Sequence, residues 1–568
     1  MSGSSFKKIF NKITHTCKRA RFTVMLNAFL KENSKCQKDS PLILIWEMGG
    51  FPAILRKNAI LSLALNVRGY NTHFIVCDGV SEVCINCGIG KGDRSVNEPK
   101  DCEECLQNMR SMAKKYGVTY SLGSDYINYE SEIKLKEISE RVCVGEIKSY
   151  QYLGVKVGEY ALASYLRWNK NCPVDYSCIP KDKERIYRKY FYGSLVNACI
   201  ANQVIIQHGP VSVFSSHGVF IDYAPPIFLA FAKGINAMSW ISGYKIYSHY
   251  YSKLNDVDGL WFKGMSRQEW EKRRRRPLSE KENRRLDKYF SERCSGRALS
   301  YLIEDRPRRA GSFDDSLHQK PAVVNALKSK LGINNDNPIV CLFSHVNWDA
   351  IVDFSSMIFE DADKWLIESI SKMIELKDVN WIIKIHPDEK VGCFYSAGNI
   401  IKDKFKHLPS HIKILENDTE INAYELFKLI NAGITIMGTV GVELPMMGKP
   451  VIVAGQAYYS GKGFSVDARS KEEYFSTLEK IGDIKPLTED QVKVARQFAY
   501  SIFIQRQIPL NVIIKTEGHW GDLDLDRLDE LLPGRDPVLD IICDGIVNGK
   551  DVILDEKTID KIYRDTSG

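Results

Sequence analysis

Short, mostly apolar runs that stop at a polar or glycine-rich cluster recur along this chain, and that rhythm leaves few folds open. In the C-terminal half they read as strands at 339–343, 381–385, 433–437 and 450–454, alternating with helical segments at 361–376, 421–430 and 440–447. Continuous apolar runs of this length suit strands buried on both faces, and strands alternating with helices build parallel sheets. The N-terminal half repeats the pattern. Leu42-Ile43-Leu44-Ile45-Trp46 reads as a strand, Gly49-Gly50 as a turn, Ala53 to Arg68 as a helix, and His73-Phe74-Ile75-Val76-Cys77 as the next strand. Further on, a helix is expected around Glu184 to Gln203, a strand at Val211-Ser212-Val213-Phe214-Ser215, and a helix from Pro226 to Lys233.

The chain has 568 residues, more than the roughly 250–300 at which a single core stops growing. Two large units are therefore expected, and the fold class is α/β, with two Rossmann-like domains facing one another across a cleft. The boundaries read as a basic segment at 1–40, a first domain at 41–264 carrying a cysteine-rich insertion at 77–105, a charged and turn-rich linker or inter-domain excursion at 265–337, a second domain at 338–500, and an extension at 501–568. A composition 44% hydrophobic and 26% charged is that of an ordinary soluble protein. The apolar stretch near Phe22 to Leu30 is too short for a signal peptide and lacks a small-residue cleavage site. The longest uncharged run, Phe191 to Ile221, contains Asn197, Asn202, Gln203, Gln207 and His208, which would strand polar groups in lipid. A cytoplasmic protein is the expectation.

In open parallel sheets ligands bind beyond the carboxyl ends of the strands, which is where the polar clusters fall. In Gly438-Thr439-Val440-Gly441-Val442-Glu443 the two glycines permit close approach of backbone to a ligand. Thr439 is placed to cap the next helix, its first amides suit a phosphate, and Glu443 lies one turn inside, able to accept from ribose hydroxyls. The same glycines would also serve the packing of a plain βαβ unit. Pro445 removes one bond from that helix. At the end of strand 381–385, Pro387 restricts His386 to an extended conformation, aiming an imidazole at the crevice to bind phosphate or protonate a leaving group.

Taken together, Lys384-Ile385-His386-Pro387, the Gly438 to Glu443 turn, Gly448-Lys449-Pro450-Val451 and the stretch Gly455 to Phe464 resemble bacterial capsular-polysaccharide glycosyltransferases of the Kdo-transferase type. A His-Pro pair followed by a Ser/Thr-rich turn is similar also to bacterial sialyltransferases and to glycerophosphate polymerases of teichoic acid synthesis. The likeness covers residues 338–470 well and the N-terminal half loosely. It implies a GT-B fold and a cytidine-nucleotide sugar donor with the His-Pro pair near its phosphate. It also implies a glycan or lipid-linked glycan acceptor. An inverting transfer of this kind needs a base for the acceptor hydroxyl and no catalytic metal. A CDP-dependent glycerophosphate or sugar-phosphate transferase, and a non-catalytic scaffold of the same fold, are the other readings.

For the base, location at a strand end selects Asp78 of Asp78-Gly79, and His217 of His217-Gly218 with Asp222 close enough to orient it. Each also fits a structural role. The Asp78 turn is a partial match to the acidic-acidic-glycine motif of sialyltransferases, with Cys77 at the first acidic position. Asp349 is a further candidate, although its loop, with His345 and Asn347, is better placed to line the cleft beside Tyr459 and touch acceptor or donor sugar. The chain has no Gly-x-x-x-x-Gly-Lys-Ser/Thr, Gly-x-Ser-x-Gly or His-Glu-x-x-His, which disfavours P-loop hydrolysis, esterase chemistry and zinc proteolysis.

Cys84-x-x-Cys87, followed by Cys102-x-x-Cys105, has the spacing of a four-thiolate zinc knuckle, and four protein ligands make such a site structural. An iron–sulfur cluster is the rival occupant. At the N-terminus, Lys7, Lys8, Lys12, Lys18, Arg19 and Arg21 mingle with Phe6, Ile9, Phe10, Ile13, Phe22 and Leu26. This suits an anionic membrane surface on the inner face, where a lipid-linked acceptor is presented, and equally a helix packed on the body. Arg273 to Arg276 reads as an exposed helix face, and without interleaved aromatics it gives no reason to invoke nucleic acid. For the cysteine pairs, the expected outcome of elemental analysis on purified protein is one zinc per chain, lost when Cys102 and Cys105 are both replaced by serine. Iron in its place would point to a cluster.

Overall fold

The computed structural model describes residues 21–48, 50–85, 99–169, 179, 181–254, 264–294, 321–346, 356–387, 389, 396–417, 419, 421, 423–516 and 519–565. Its first sheet contains β1 (Leu42–Glu47), β2 (Asn71–Val76), β3 (Tyr120–Leu122), β4 (Ser212–Ser216), β5 (Asn236–Ser242) and β6 (Ser248–Lys253). The spatial order is β3-β2-β1-β4-β5-β6, closed at the β6 edge by a late strand, β15 (Ile508–Pro509). The strands run parallel from β3 to β5, and β6 and β15 are antiparallel to their neighbours.

The second sheet is built from β7 (Ile339–Phe343), β9 (Asn380–Lys384), β10 (Ile412–Leu415), β11 (Ala432–Thr435), β12 (Val451–Val453) and β14 (Val466–Asp467), in the order β10-β9-β7-β11-β12-β14 and parallel throughout. Two short strands, β8 (Ser356–Met357) and β13 (Gly455–Gln456), pair separately. Each sheet begins at its centre, winds one way for three strands and then reverses, so each has a switch point: β1/β4 in the first and β7/β11 in the second.

The apolar runs are explained by burial on both faces. Ile43 and Ile45 of β1 enter one core while Leu44 and Trp46 enter another. In β7, Cys341 and Phe343 join the core that holds Ile43, while Val340 and Leu342 enter a third. One continuous core therefore touches a face of each sheet.

Strands and helices in the C-terminal half lie within about two residues of the sequence expectations, but β10 was not anticipated, nor β3, β5 or β6 in the first half. The stretch expected as a linker instead forms helices Arg267–Arg274, Glu280–Cys294 and Pro321–Lys330. Trp270, Leu286, Tyr289 and Leu327 from these helices are buried in the shared core. Dense charge concealed the narrow apolar stripe, and most of that charge is paired. Arg273 meets Glu269, Arg276 meets Glu282, and Arg285 reaches Glu556 and Asp560. The Arg273 to Arg276 cluster is therefore not a bare basic face. The extension after 500 returns to the first sheet: β15 pairs with β6, and helix Pro537–Asn548 is tied to it where Ser212 Oγ donates to Ile546 O at 2.7 Å.

Residues 1–20 lie outside the described residues, but the helical stretch 21–33 buries Phe22, Leu26 and Phe29 against the body. Phe22 packs edge-on to Tyr116 at 5.4 Å, so these side chains face protein and not lipid. Among the described residues no helix is long and apolar enough to cross a membrane.

Helix Phe220–Ala232 starts well before the expected Pro226 and contains both Pro225 and Pro226. Two consecutive prolines remove the amides that would bond the carbonyls four residues earlier, those of Ile221 and Asp222. Side chains supply the missing donors. Asn197 Nδ2 donates to Ile221 O at 2.8 Å, and Trp46 Nε1 donates to Asp222 O at 2.7 Å. Trp46→Phe keeps an aromatic side chain but leaves a buried carbonyl unpaired, which should cost about 1–3 kcal/mol, with the volume lost at this buried site adding to it. A lowered urea midpoint at unchanged slope would show it.

Candidate functional site

At the second switch point, β7 and β9 end side by side. Ser344 N donates to Lys384 O at 3.0 Å, and His386 N donates to Ser344 Oγ at 2.8 Å, so the hydroxyl after β7 fixes the backbone of the His-Pro pair after β9. The His345 and His386 rings lie 6.3 Å apart, tilted by 34°. His345 Nδ1 sits 2.9 Å from Val346 O, and donation to that carbonyl leaves the lone pair of a neutral ring on Nε2. Pro387 is exposed and opens the short turn holding Glu389, which accepts from Ala397 N at 3.0 Å. Burial pushes the Glu389 carboxyl up to about 8, with the Ala397 amide opposing.

The turn after β11 completes this end of the sheet, though its residues act differently from expectation. Thr439 has helical backbone angles and makes no cap; its hydroxyl donates to Glu443 Oε2 at 3.4 Å. The amides of Gly438, Gly441, Val442 and Glu443 bond Thr435 Oγ1, Gly438 O and Thr439 O, so the first turn closes on itself. Glu443 is held by Arg293 of helix Glu280–Cys294 at 2.8 Å, with both side chains largely buried. A carboxylate committed to a guanidinium is a tether and is not offered to a ribose. Tyr459, expected at the cleft, is fully buried, and its hydroxyl donates to Gly438 O at 3.1 Å. Gly441 is required beneath it, since a Cβ there would lie 2.1 Å from the phenol ring.

The first switch point gathers a second polar group. Glu47 ends β1 and is 1% exposed; its Oε1 accepts from Asn58 Nδ2, and Trp240 Nε1 donates to Asn58 Oδ1 at 2.9 Å, which fixes the amide's orientation. Lys57 is buried with its ammonium over the Trp240 ring. Burial pushes the Glu47 carboxyl well up and the Lys57 amine well down, and their mutual attraction opposes both shifts. His217 follows β4 in the left-handed region, at φ 52°, as does Phe220, at φ 65°. Left-handed non-glycine residues are strained, and such strain concentrates at functional sites. His217 N donates to Trp240 O at 2.7 Å, and its ring packs against Tyr223 at 5.5 Å and Trp240 at 6.2 Å. Burial, then Arg167 and Lys57, push the imidazole down to about 4, which keeps it neutral at physiological pH.

Asp222 does not orient His217. Its Oδ2 accepts from Ile85 N at 2.7 Å, fastening the start of the cysteine-rich insertion, and burial lifts the carboxyl to about 7. Asp78 accepts from the Ser124 hydroxyl and amide, at the turn after β2. Asn347, Asp349 and Cys87 lie outside the described residues. Cys102 and Cys105 share one face of helix Pro99–Tyr116 and press on Gly79 and Gly50; the ideal Cβ of Gly50 would be 3.0 Å from Cys105 Sγ. Among the described residues no group of three or more His, Cys, Asp or Glu side chains is placed to hold a metal.

Sequence reasoning missed Glu47, Lys57, Asn58, Tyr223, Trp240 and Arg293. Like His386, Glu47 is a polar residue that closes a strand-forming run, here before a glycine turn, so that signal was present. Lys57 and Asn58 were visible only as polar residues inside an otherwise apolar helix.

Residues 260–482 match the family described as capsule polysaccharide biosynthesis protein. The matched segment contains the second switch point from Ser344 to Glu443 and Arg293, the partner of Glu443. No curated protein matches the sequence. Among solved structures, Thermosulfurimonas dismutans KpsC, beta Kdo 2,7 transferase, is 14% identical over 58% of this chain and 87% of its own, with a TM-score of 0.28. The UDP-GlcNAc 2-epimerase from Neisseria meningitidis, bound to UDP-GlcNAc, is 12% identical over 81% and 96%, with a TM-score of 0.22.

Within residues 260–482, removing one member of a buried ion pair leaves the other charge stranded. Arg293→Met should therefore cost about 3–5 kcal/mol, and adding Glu443→Leu should recover most of it. Urea unfolding of the single and double variants checks both.

Proposed function

We propose that this protein is a glycosyltransferase of capsule polysaccharide assembly, with the two sheets in a GT-B arrangement. The sugar donor binds at the β7/β11 switch point and the acceptor glycan at the β1/β4 switch point. The observation that carries this is the convergence of His345, His386 and the Gly438-Thr439 turn beyond the strands of one parallel sheet. Two imidazoles beside a glycine turn suit the phosphate of a nucleotide donor, whose negative charge grows as the sugar leaves. The match over residues 260–482 supplies the polysaccharide context.

The motif resemblance makes a cytidine nucleotide the first donor to test, with CMP-Kdo as the first sugar nucleotide. In this reading the donor phosphate sits by His386, the acceptor hydroxyl enters past His217, and transfer needs no catalytic metal. The cysteine-rich insertion is a structural zinc element packed on the Gly50 turn beside the acceptor crevice. The basic N-terminal segment holds the enzyme against the inner membrane face, where lipid-linked glycans are presented.

The test is a thermal-shift panel with CMP, CDP, UDP, GDP and ADP on the wild type and His386→Ala. A ligand at ~100 times its Kd adds about 2.7 kcal/mol of stability. The expected outcome is a raised Tm with CMP that disappears in the variant. A shift with UDP alone would replace the cytidine donor, and no shift with any nucleotide would sink the reading.

A further inference from the structure

The first switch point holds more unsatisfied polar chemistry than packing explains. Glu47 Oε2, Ser216 Oγ, His217 Nδ1 and the Tyr223 hydroxyl are all buried and make no well-formed hydrogen bond among the described residues. Buried polar atoms are paired in the great majority of cases, and clusters of exceptions need an explanation such as a catalytic role. These four belong to one neighbourhood. Ser216 and His217 are adjacent, the Tyr223 ring lies on His217, and the Tyr223 hydroxyl lies beside Ser216 with Glu47 close enough to act on it electrostatically. His217 is the one member that is not fully buried, although its Nδ1 is.

We propose that Glu47 is the carboxylate that deprotonates the acceptor hydroxyl, with Tyr223 and His217 as the groups that receive and orient that hydroxyl. This rests on the glycosyltransferase reading above and names a residue for it. The geometry favours Glu47 over the other carboxylates near this end of the sheet. Asp222 has Oδ2 on Ile85 N and, unlike Glu47, has no buried oxygen left without a partner, and Asp78 is bonded to Ser124 at the turn after β2. Glu47 has one oxygen fixed by Asn58, itself locked by Trp240, which leaves Oε2 as a positioned acceptor. Burial raises the proton affinity of this carboxyl, as a base requires, and Lys57 nearby opposes that shift.

The step balances without any further reagent. The acceptor O–H bond breaks and its proton passes to Glu47 Oε2. The acceptor oxygen forms the new bond to the anomeric carbon, and the bond from that carbon to the donor phosphate oxygen breaks. The electron pair departs on the nucleotide phosphate beside His386, and Glu47 later gives its proton to solvent.

Glu47→Gln separates this role from a structural one. Glutamine has the same shape, and its carbonyl still accepts from Asn58, so a residue that only packs would tolerate it. CMP binding by calorimetry and CMP release from CMP-Kdo with a capsule-type acceptor glycan are measured on wild type and variant. The expected result is CMP affinity within twofold of wild type, with turnover down by about 10²–10⁴, the range for loss of a general base. A loss below about a hundredfold with binding intact overturns the assignment. So does loss of CMP binding together with turnover, because Glu47 would then be holding the fold. If the wild type itself binds CMP but transfers no sugar, the glycosyltransferase reading fails and the base falls with it, an outcome distinct from a normal wild type beside an active Glu47→Gln.

Discussion

Both sheets are covered on both faces, and that single constraint governs where chemistry can sit. A strand such as β1, with Ile43 and Ile45 in one core and Leu44 and Trp46 in another, has no face left for a functional side chain. Polar groups emerge where the strands end, and the widest gap between end loops lies where the winding direction reverses. Glu47 and His217 occupy that position in the first sheet, and His345 and Gly438 occupy it in the second.

The two sheets are not independent bodies. The shared core is completed by helices 267–274 and 280–294 and by the chain that leaves helix Glu489–Tyr500, crosses at 501–507 and returns to the first sheet as β15. Tyr250 and Gln507 grip that crossing: Tyr250 Oη donates to Ile502 O at 2.9 Å, and Gln507 Nε2 donates to the same carbonyl at 2.8 Å. Arg293 is the polar counterpart. It bonds Glu443 below the second switch point and lies over the rings of Tyr244, next to the first sheet, and Phe503, in the crossing. The turn after β11 is thus anchored to the seam between the sheets and not only to its own strand.

The first switch point shows how secondary structure and site are coupled. The prolines of helix Phe220–Ala232 free two carbonyls, and Trp46 satisfies one of them from β1, the strand that also ends in Glu47. The junction between the end of β4 and that helix has His217 and the first helical residue, Phe220, in left-handed conformations. Packing at both ends over-determines the junction, which is how a strained backbone persists.

Much of this was written locally. Apolar runs broken by Gly, Pro, Asn and Asp are short-range signals, so β1, β2, β4, β7, β9, β11 and β12 could be read from the sequence, as could the placement of His345, His386 and the Gly438 turn beyond strand ends. β10 was hidden because Lys413 interrupts a four-residue strand, and helix Glu280–Cys294 because its charges outnumber the apolar residues it buries. Partnerships across the chain were not legible at all. Nothing local says that Glu443 belongs to Arg293, that Trp46 caps a carbonyl of Asp222, or that Lys57 and Asn58 surround Glu47. The sequence by itself determined the type of fold and the strand ends where polar chemistry must collect, because burial imposes its period on neighbouring residues. Which polar groups are spent on structure and which remain to act was decided only by the tertiary packing, because a hydrogen bond or ion pair depends on distance in space and leaves no mark on spacing along the chain.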